Sequence, residues 1–270
     1  MKRLALCADD YGLSAPISRA ILQLAERGRL SDVSCIVNAP AWRGSGAALK
    51  GSGVRAGLHL NLTEGRPLSA ALAAQWPVLP ALPRLIVLAH LRRLPRAALR
   101  DELNAQLGAF EQASGQAPRH IDGHQHVHHL PLLRDLVLDL LAARPGLLAR
   151  NTGRVDGPGF AVKRALIAGT GGRAMGLRLA AIGRSQNERL FGVYDFADPD
   201  GSSESSGSDY RGLMQRWLAA IPAHGALLFC HPGDADSGDP IAAARTRERA
   251  YLGSPAFADD LAAAGVVLAR

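Results

Sequence analysis

The chain has 270 residues, 47% hydrophobic and 20% charged, which is ample for the core of one large α/β domain over 1–270. The formal charge of +7 is carried mostly by dispersed Arg, and the densest stretch, His90–Arg96, alternates with Leu as a solvated helix face does, so the composition argues against nucleic acid as a partner. Three widely spaced cysteines, Cys7, Cys35 and Cys230, exclude a disulfide framework and fit a reduced, cytoplasmic compartment; no run approaches the roughly 20 apolar residues of a membrane span, and the basic start precedes too short an apolar stretch for a signal peptide.

In chain order, residues 4–8 read as a buried strand that runs into Asp9 and Asp10. Ser14 reads as the N-cap of a helix with Ile17, Ile21 and Leu24 on one face and Gly28 as its stop. Strands are predicted over Ser34–Val37 and over 54–62, where Arg55, Gly57, His59 and Asn61 share one parity. A helix over Ala97–Gln112 lies between Pro95 and a Gly115 turn. Arg119–Val127 reads as strand, Leu132–Ala143 as helix, and 146–149 as a short strand leading to Arg150. Residues 198–209, rich in Gly, Ser and Asp, are expected to form a mobile loop. Tyr210–Ala220 is helical, Ala226–Cys230 a strand, Phe257–Ala264 the last helix and Val266–Leu268 the last strand. Strands alternating with helices predict parallel βαβ units. Their number favours a (β/α) TIM-like barrel, distorted or with fewer than eight strands, over an open doubly wound sheet. The Gly-rich Gly169–Gly172 follows no convincing strand and carries no dinucleotide signal.

Four polar clusters follow four of these strands: Ala8–Gly12, Gly57–Gly65, His120–His129 and Cys230–Gly233. In the third, His120, Asp122, His124, His126 and His128 share one parity, but an extended chain would spread them over about 26 Å, so only one or two can reach one ion. Barrel sites form where several strands end at one face. A carboxylate with two imidazoles is a workable ligand set for a divalent ion, and a second carboxylate and a further histidine remain for acid–base work.

These four motifs, in this order, resemble the YdjC-like carbohydrate deacetylases, a group that includes chitooligosaccharide and hopanoid-associated deacetylases. The resemblance implies a distorted barrel, homodimers as a common assembly, and one divalent metal ion, Mg²⁺ or Zn²⁺, held by Asp10, His59 and His124. It implies Asp9 as general base and His231 as the proton donor, with metal-assisted removal of acetyl from an N-acetylated sugar, glycan or glycolipid as the reaction. Tyr11, where the family usually has Phe, and His128 and Arg150 are expected as substrate contacts, His128 being the second choice for proton donor. Two other readings are another metal-dependent hydrolase, such as a phosphoesterase, and a non-catalytic sugar-binding barrel. The first needs further ordered ligand clusters, and the second should have lost Asp9 or a ligand.

Overall fold

The computed structural model describes residues 1–196, 210–236 and 238–269. Among them eight strands form one parallel sheet: β1 (Lys2–Tyr11), β2 (Asp32–Cys35), β3 (Arg55–Leu60), β4 (His120–Gly123), β5 (Leu148–Ala149), β6 (Leu190–Phe191), β7 (Ala226–Cys230) and β8 (Val266–Leu268). The order is β5-β4-β3-β2-β1-β7-β6, with β8 on β1. β1 is the hub. β7 runs along one edge from Leu4 to Ala8, and the other edge is divided between β8 at Lys2–Leu4 and β2 at Cys7–Tyr11. A strand paired on both edges and covered on both faces must be apolar on both parities; Leu4, Leu6, Cys7 and Ala8 are accordingly buried.

The two ends of the path, β5 and β6, approach each other through the segment that follows β5. Val155 bridges Leu190, Leu190 N donates to Arg154 O and Asp156 N donates to Leu190 O. The Asn187 side chain accepts from Asn151 N at 2.8 Å and donates to Asn151 O at 2.8 Å. The result is the distorted α/β barrel with flanking helices that the sequence suggests, not an open doubly wound sheet.

The helix Ala15–Glu26 starts at Ser14, whose Oγ accepts from Ile17 N, and buries Ile17, Ile21 and Leu24. The helix Arg96–Ser114 ends at Gly115, which takes the left-handed conformation with φ +67. Its buried Gln106 grips the backbone of Asn61 through N (3.2 Å) and O (2.8 Å), which fixes the chain as it leaves β3.

The largest departure is at β4. The strand predicted over 119–127 stops at Gly123, because Gln125 and His126 both adopt positive φ, 53 and 62, and the chain folds into a tight helical turn over His124–His129. Period-two alternation of histidines is therefore no strand here. The sequence-based reading also lacks β6 and the helices Leu82–His90, Ala161–Ile167, Arg173–Ala181 and Ala242–Gly253. The loop expected over 198–209 lies outside the described residues.

Candidate active site

Asp9 and Asp10 sit at the C-terminal end of β1, where the β1–β2 register shifts between Ala8 and Tyr11. Asp10 itself is left-handed, with φ +69. Adjacent residues of a regular strand face opposite sides; the irregularity lets both carboxylates serve one region, and Gly12, φ +90, completes the turn. Each aspartate has its own buried arginine. Arg150 grips Asp9 with two 2.7 Å hydrogen bonds, one to each oxygen. Arg245 donates to Asp10 Oδ2 at 2.7 Å.

The other oxygen, Asp10 Oδ1, faces two imidazoles: His124 Nδ1 at 3.1 Å and His59 Nε2 at 3.5 Å. His59 comes from β3, and its Nδ1 is 2.6 Å from Asp122 Oδ1 on β4. A carboxylate behind one ring nitrogen orients the other toward a metal. Asp122 also contacts Arg150, so one buried carboxylate anchors both His59 and the partner of Asp9. His124 Nε2 lies 3.0 Å from Glu64 Oε1, and Glu64 is placed by Asn61, whose Oδ1 accepts from Glu64 N at 3.1 Å.

One donor atom from each of Asp10, His59 and His124 lies within 4.8 Å of the other two. A carboxylate and two imidazoles are donor types that a divalent ion accepts, so the residues fit one. The electrostatics agree. Burial alone would lower the His59 pKa, but Asp122 and Asp9 outweigh it and hold it near 10. Burial likewise opposes protonation of His124, yet Asp10 and Glu64 raise it to about 9. These carboxylates favour positive charge on and beside the two rings. Two further groupings, Asp9–His59–Asp122 and Cys7–His120–Asp122, also bring ligand types together. The Arg150 guanidinium already serves them: it holds Asp9 and Asp122, and its Nη2 is 3.4 Å from Cys7 Sγ.

The cavity above this cluster has a volume of about 710 Å³. Asp9, Asp10, His59, His124 and His231 all line it. His231 leaves β7 with its backbone N–H donated to Glu248, and its ring meets Phe196 and Phe229 edge-on at 4.9 and 5.6 Å. Burial pushes its pKa down to about 4. Aliphatic side chains, among them Leu82, Ile86, Leu166 and Ile241, make much of the wall.

Three expected substrate contacts are elsewhere. Tyr11 is buried and donates its hydroxyl to Ser45 O at 2.7 Å. His128 is fully buried, its Nε2 3.0 Å from Arg150 O. Arg150 is 2% exposed and lies beneath Asp9. None of the three lines the cavity. The His-rich turn presents His126 and His129 to it instead, because the left-handed pair at 125–126 changes which side chains face inward.

Sequence reasoning also missed Asp122, Glu64 and Arg245. The first two stand inside the quoted motifs, and the parity of Asp122 with His120 and His124 was a usable signal. Nothing local separates Arg245 from Arg247 and Arg249 in the same helix.

Carboxylates, imidazoles and a cavity thus meet at the ends of β1, β3, β4 and β7, the face at which α/β barrels build their active sites. The model of the YdjC-like protein family matches residues 3–263, and the chain belongs to that family. A human carbohydrate deacetylase is 33% identical over 147 residues, 52% of this chain and 46% of that protein. A chitooligosaccharide deacetylase of Enterobacter sp. (strain 638) is 33% identical over 159 residues, 55% of this chain and 59% of that protein. The chain thus spans about half the length of the curated relatives it matches. Among solved structures, a putative cellobiose-phosphate cleavage protein of Enterococcus faecalis V583 superposes with a TM-score of 0.72 at 21% identity, covering 100% of this chain and 97% of that one. The Bc1960 peptidoglycan N-acetylglucosamine deacetylase superposes with 0.51 at 12% identity, covering 99% and 85%. At these identities the structures establish the shared fold.

Proposed function

We propose that this chain is a metal-dependent carbohydrate deacetylase that hydrolyses the acetamido group of an N-acetylated sugar, free, in a chitooligosaccharide or other glycan, or in a glycolipid. The observation that carries this reading is the convergence of Asp10, His59 and His124 on one point of the cavity floor, with Asp9 beside them and outside that ligand set. The deacetylase names of the relatives support the reaction class.

Asp10, His59 and His124 would hold the ion. Bound there, a divalent cation supplies Lewis acidity, acidifying water and drawing charge from a carbonyl oxygen. The residues do the rest. Arg150 fixes the Asp9 carboxylate through both oxygens, so it stays oriented to accept a proton from water. Asp122 keeps His59 from rotating. The departing amine needs a proton, and His231, which follows β7 beside β1, supplies it from the cavity wall. With its pKa near 4, His231 is neutral at pH 7 and must gain that proton during turnover; the one that Asp9 removes balances it. Acetate and the amino sugar leave. A phosphoesterase with several metals fits less well, since the two further ligand groupings are served by Arg150.

The test is acetate release from a panel of N-acetylated saccharides before and after chelation, with Zn²⁺ or Mg²⁺ restored separately. Activity should fall on chelation and return with at least one ion. His59→Ala and His124→Ala should lose bound metal by elemental analysis. Unchanged metal content in both variants, or release indifferent to chelation, overturns the reading.

A further inference from the structure

Asp10 carries two oxygens into the cluster, and they are not equivalent. Oδ1 faces His59 and His124. Oδ2 is taken by Arg245 Nη2 at 2.7 Å. Arg245 is itself 2% exposed and cannot swing away into solvent. Its Nε donates to Asp239 Oδ2 at 2.6 Å and its Nη1 reaches His231 O at 3.4 Å. Asp239, Pro240 and Ile241 line the cavity, and Ile241 N donates to Asp239 Oδ1 at 3.1 Å. The guanidinium therefore ties three things together: one oxygen of the ligand carboxylate, the backbone after β7 and a segment of the cavity wall.

We propose that Arg245 is a positioning residue that makes Asp10 a one-oxygen ligand and, through Asp239, couples that choice to the wall segment at 239–241. The inference rests on the metal-site reading above. Its chemical consequence is selectivity among ions. Calcium takes six to eight oxygens and readily accepts both oxygens of a carboxylate, whereas zinc-like ions are content with few ligands that include imidazoles. A carboxylate with one oxygen permanently hydrogen-bonded offers a poor chelate to a large oxygen-seeking ion. Releasing Oδ2 removes that discrimination.

The metal-free full-length chain is titrated with Co²⁺ followed by its visible absorption, and with Ca²⁺ followed by calorimetry, for the unaltered protein, Arg245→Met and Asp239→Asn. Outer contacts of this kind are worth about 10–100-fold in metal affinity. Arg245→Met is expected to move the Ca²⁺ to Co²⁺ affinity ratio at least about tenfold toward Ca²⁺ and to weaken the Co²⁺ absorption, as a higher coordination number does. Asp239→Asn should move both readouts the same way by less. A ratio is read because removing a cation beside Asp10 strengthens every metal, and only a change in denticity separates them. Should Arg245→Met fail to fold, Arg245→Lys carries the comparison, since one ammonium cannot reproduce the fork that spans Asp10 and Asp239. If the unaltered protein binds one Co²⁺ and the variants keep its ratio and spectrum, the role of Arg245 is overturned and the site stands. If the unaltered protein binds no Co²⁺, the site reading falls with it.

Discussion

Adjacent aspartates at a strand end pose an electrostatic problem that the structure solves by giving each a different cation: Arg150 for Asp9, Arg245 for Asp10. On the roles proposed above, that division predicts different failures. Asp10→Asn should lose most of its bound metal, and excess metal should restore part of the activity. Asp9→Asn should retain the metal and lower kcat by roughly 10²–10⁴, the range for a lost general base, with no rescue by added ion. Elemental analysis beside steady-state kinetics checks both; metal lost from Asp9→Asn and kept by Asp10→Asn would reverse the roles. The residues at strand ends were legible because local motifs display them. Arg150 after a short strand reads as a substrate contact, and only the tertiary fold reveals that Asp9 and Asp122, 141 and 28 positions away, claim it beneath the cavity. Arg245 was invisible for the same reason, its partner being 235 residues upstream.

At the scale of elements, the site depends on two places where regular structure is broken. One is the end of β1. Asp10 occupies a left-handed conformation that costs a non-glycine residue about 1–2 kcal/mol, though Asp tolerates it better than most. At Gly12 a Cβ would lie 2.4 Å from Ile36 O in addition to facing φ +90. Gly12→Ala should therefore destabilise the protein by about 2–4 kcal/mol, combining strain with a backbone clash, measured as a lower midpoint in urea at constant m-value. A midpoint unchanged within error would show that the turn relaxes freely. The second break is after β4. Most strands and the first helix could be placed from apolar runs, caps and glycines. The histidine run could not, because alternation looks alike whether or not two residues take positive φ, and nothing in Gln125-His126 announces that they do.

For the molecule as a whole, the barrel interior holds several imidazoles in neutral form. Burial lowers His128 and His231 to about 4 and His129 to about 2. His129 is satisfied as a neutral ring between Thr152 Oγ1 at 2.7 Å and Thr170 Oγ1 at 3.1 Å. For a base depressed on folding, the unfolded chain binds the proton first. The stability it contributes is present above about pH 6.5 and drains away as pH falls toward the folded value, by up to about 1.4 kcal/mol per pH unit for each histidine. Glu248 works the other way: burial raises it to about 7, so its contribution is full below about 4.5 and lost as pH rises through 7, which offsets one histidine over the same range. The balance is a protein that weakens between pH 6.5 and 4.5. His129→Gln should flatten that decline, seen as a smaller drop in Tm between pH 6.5 and 5 than the unaltered protein shows. An equal drop in both would remove His129 from the cause.

The division of the β1 edge between β2 and β8 has a kinetic side. The first strand finds β2 some 25 residues on, but β7 and β8 arrive only near residues 226 and 266. Asp10 and the Arg245 that restrains it are 235 residues apart, an interval of roughly 10–50 s at ordinary rates of chain synthesis. Once His124 has emerged, 121 residues remain before Arg245, roughly 6–24 s at the same rates, during which the chain carries Asp10, His59 and His124 but not the arginine that occupies the spare oxygen. A nascent chain able to collect metal early would do so with a looser, less selective site than the finished barrel. An ion captured in that window would meet its final coordination only when the last strands close the hub and bring Arg245 onto Asp10.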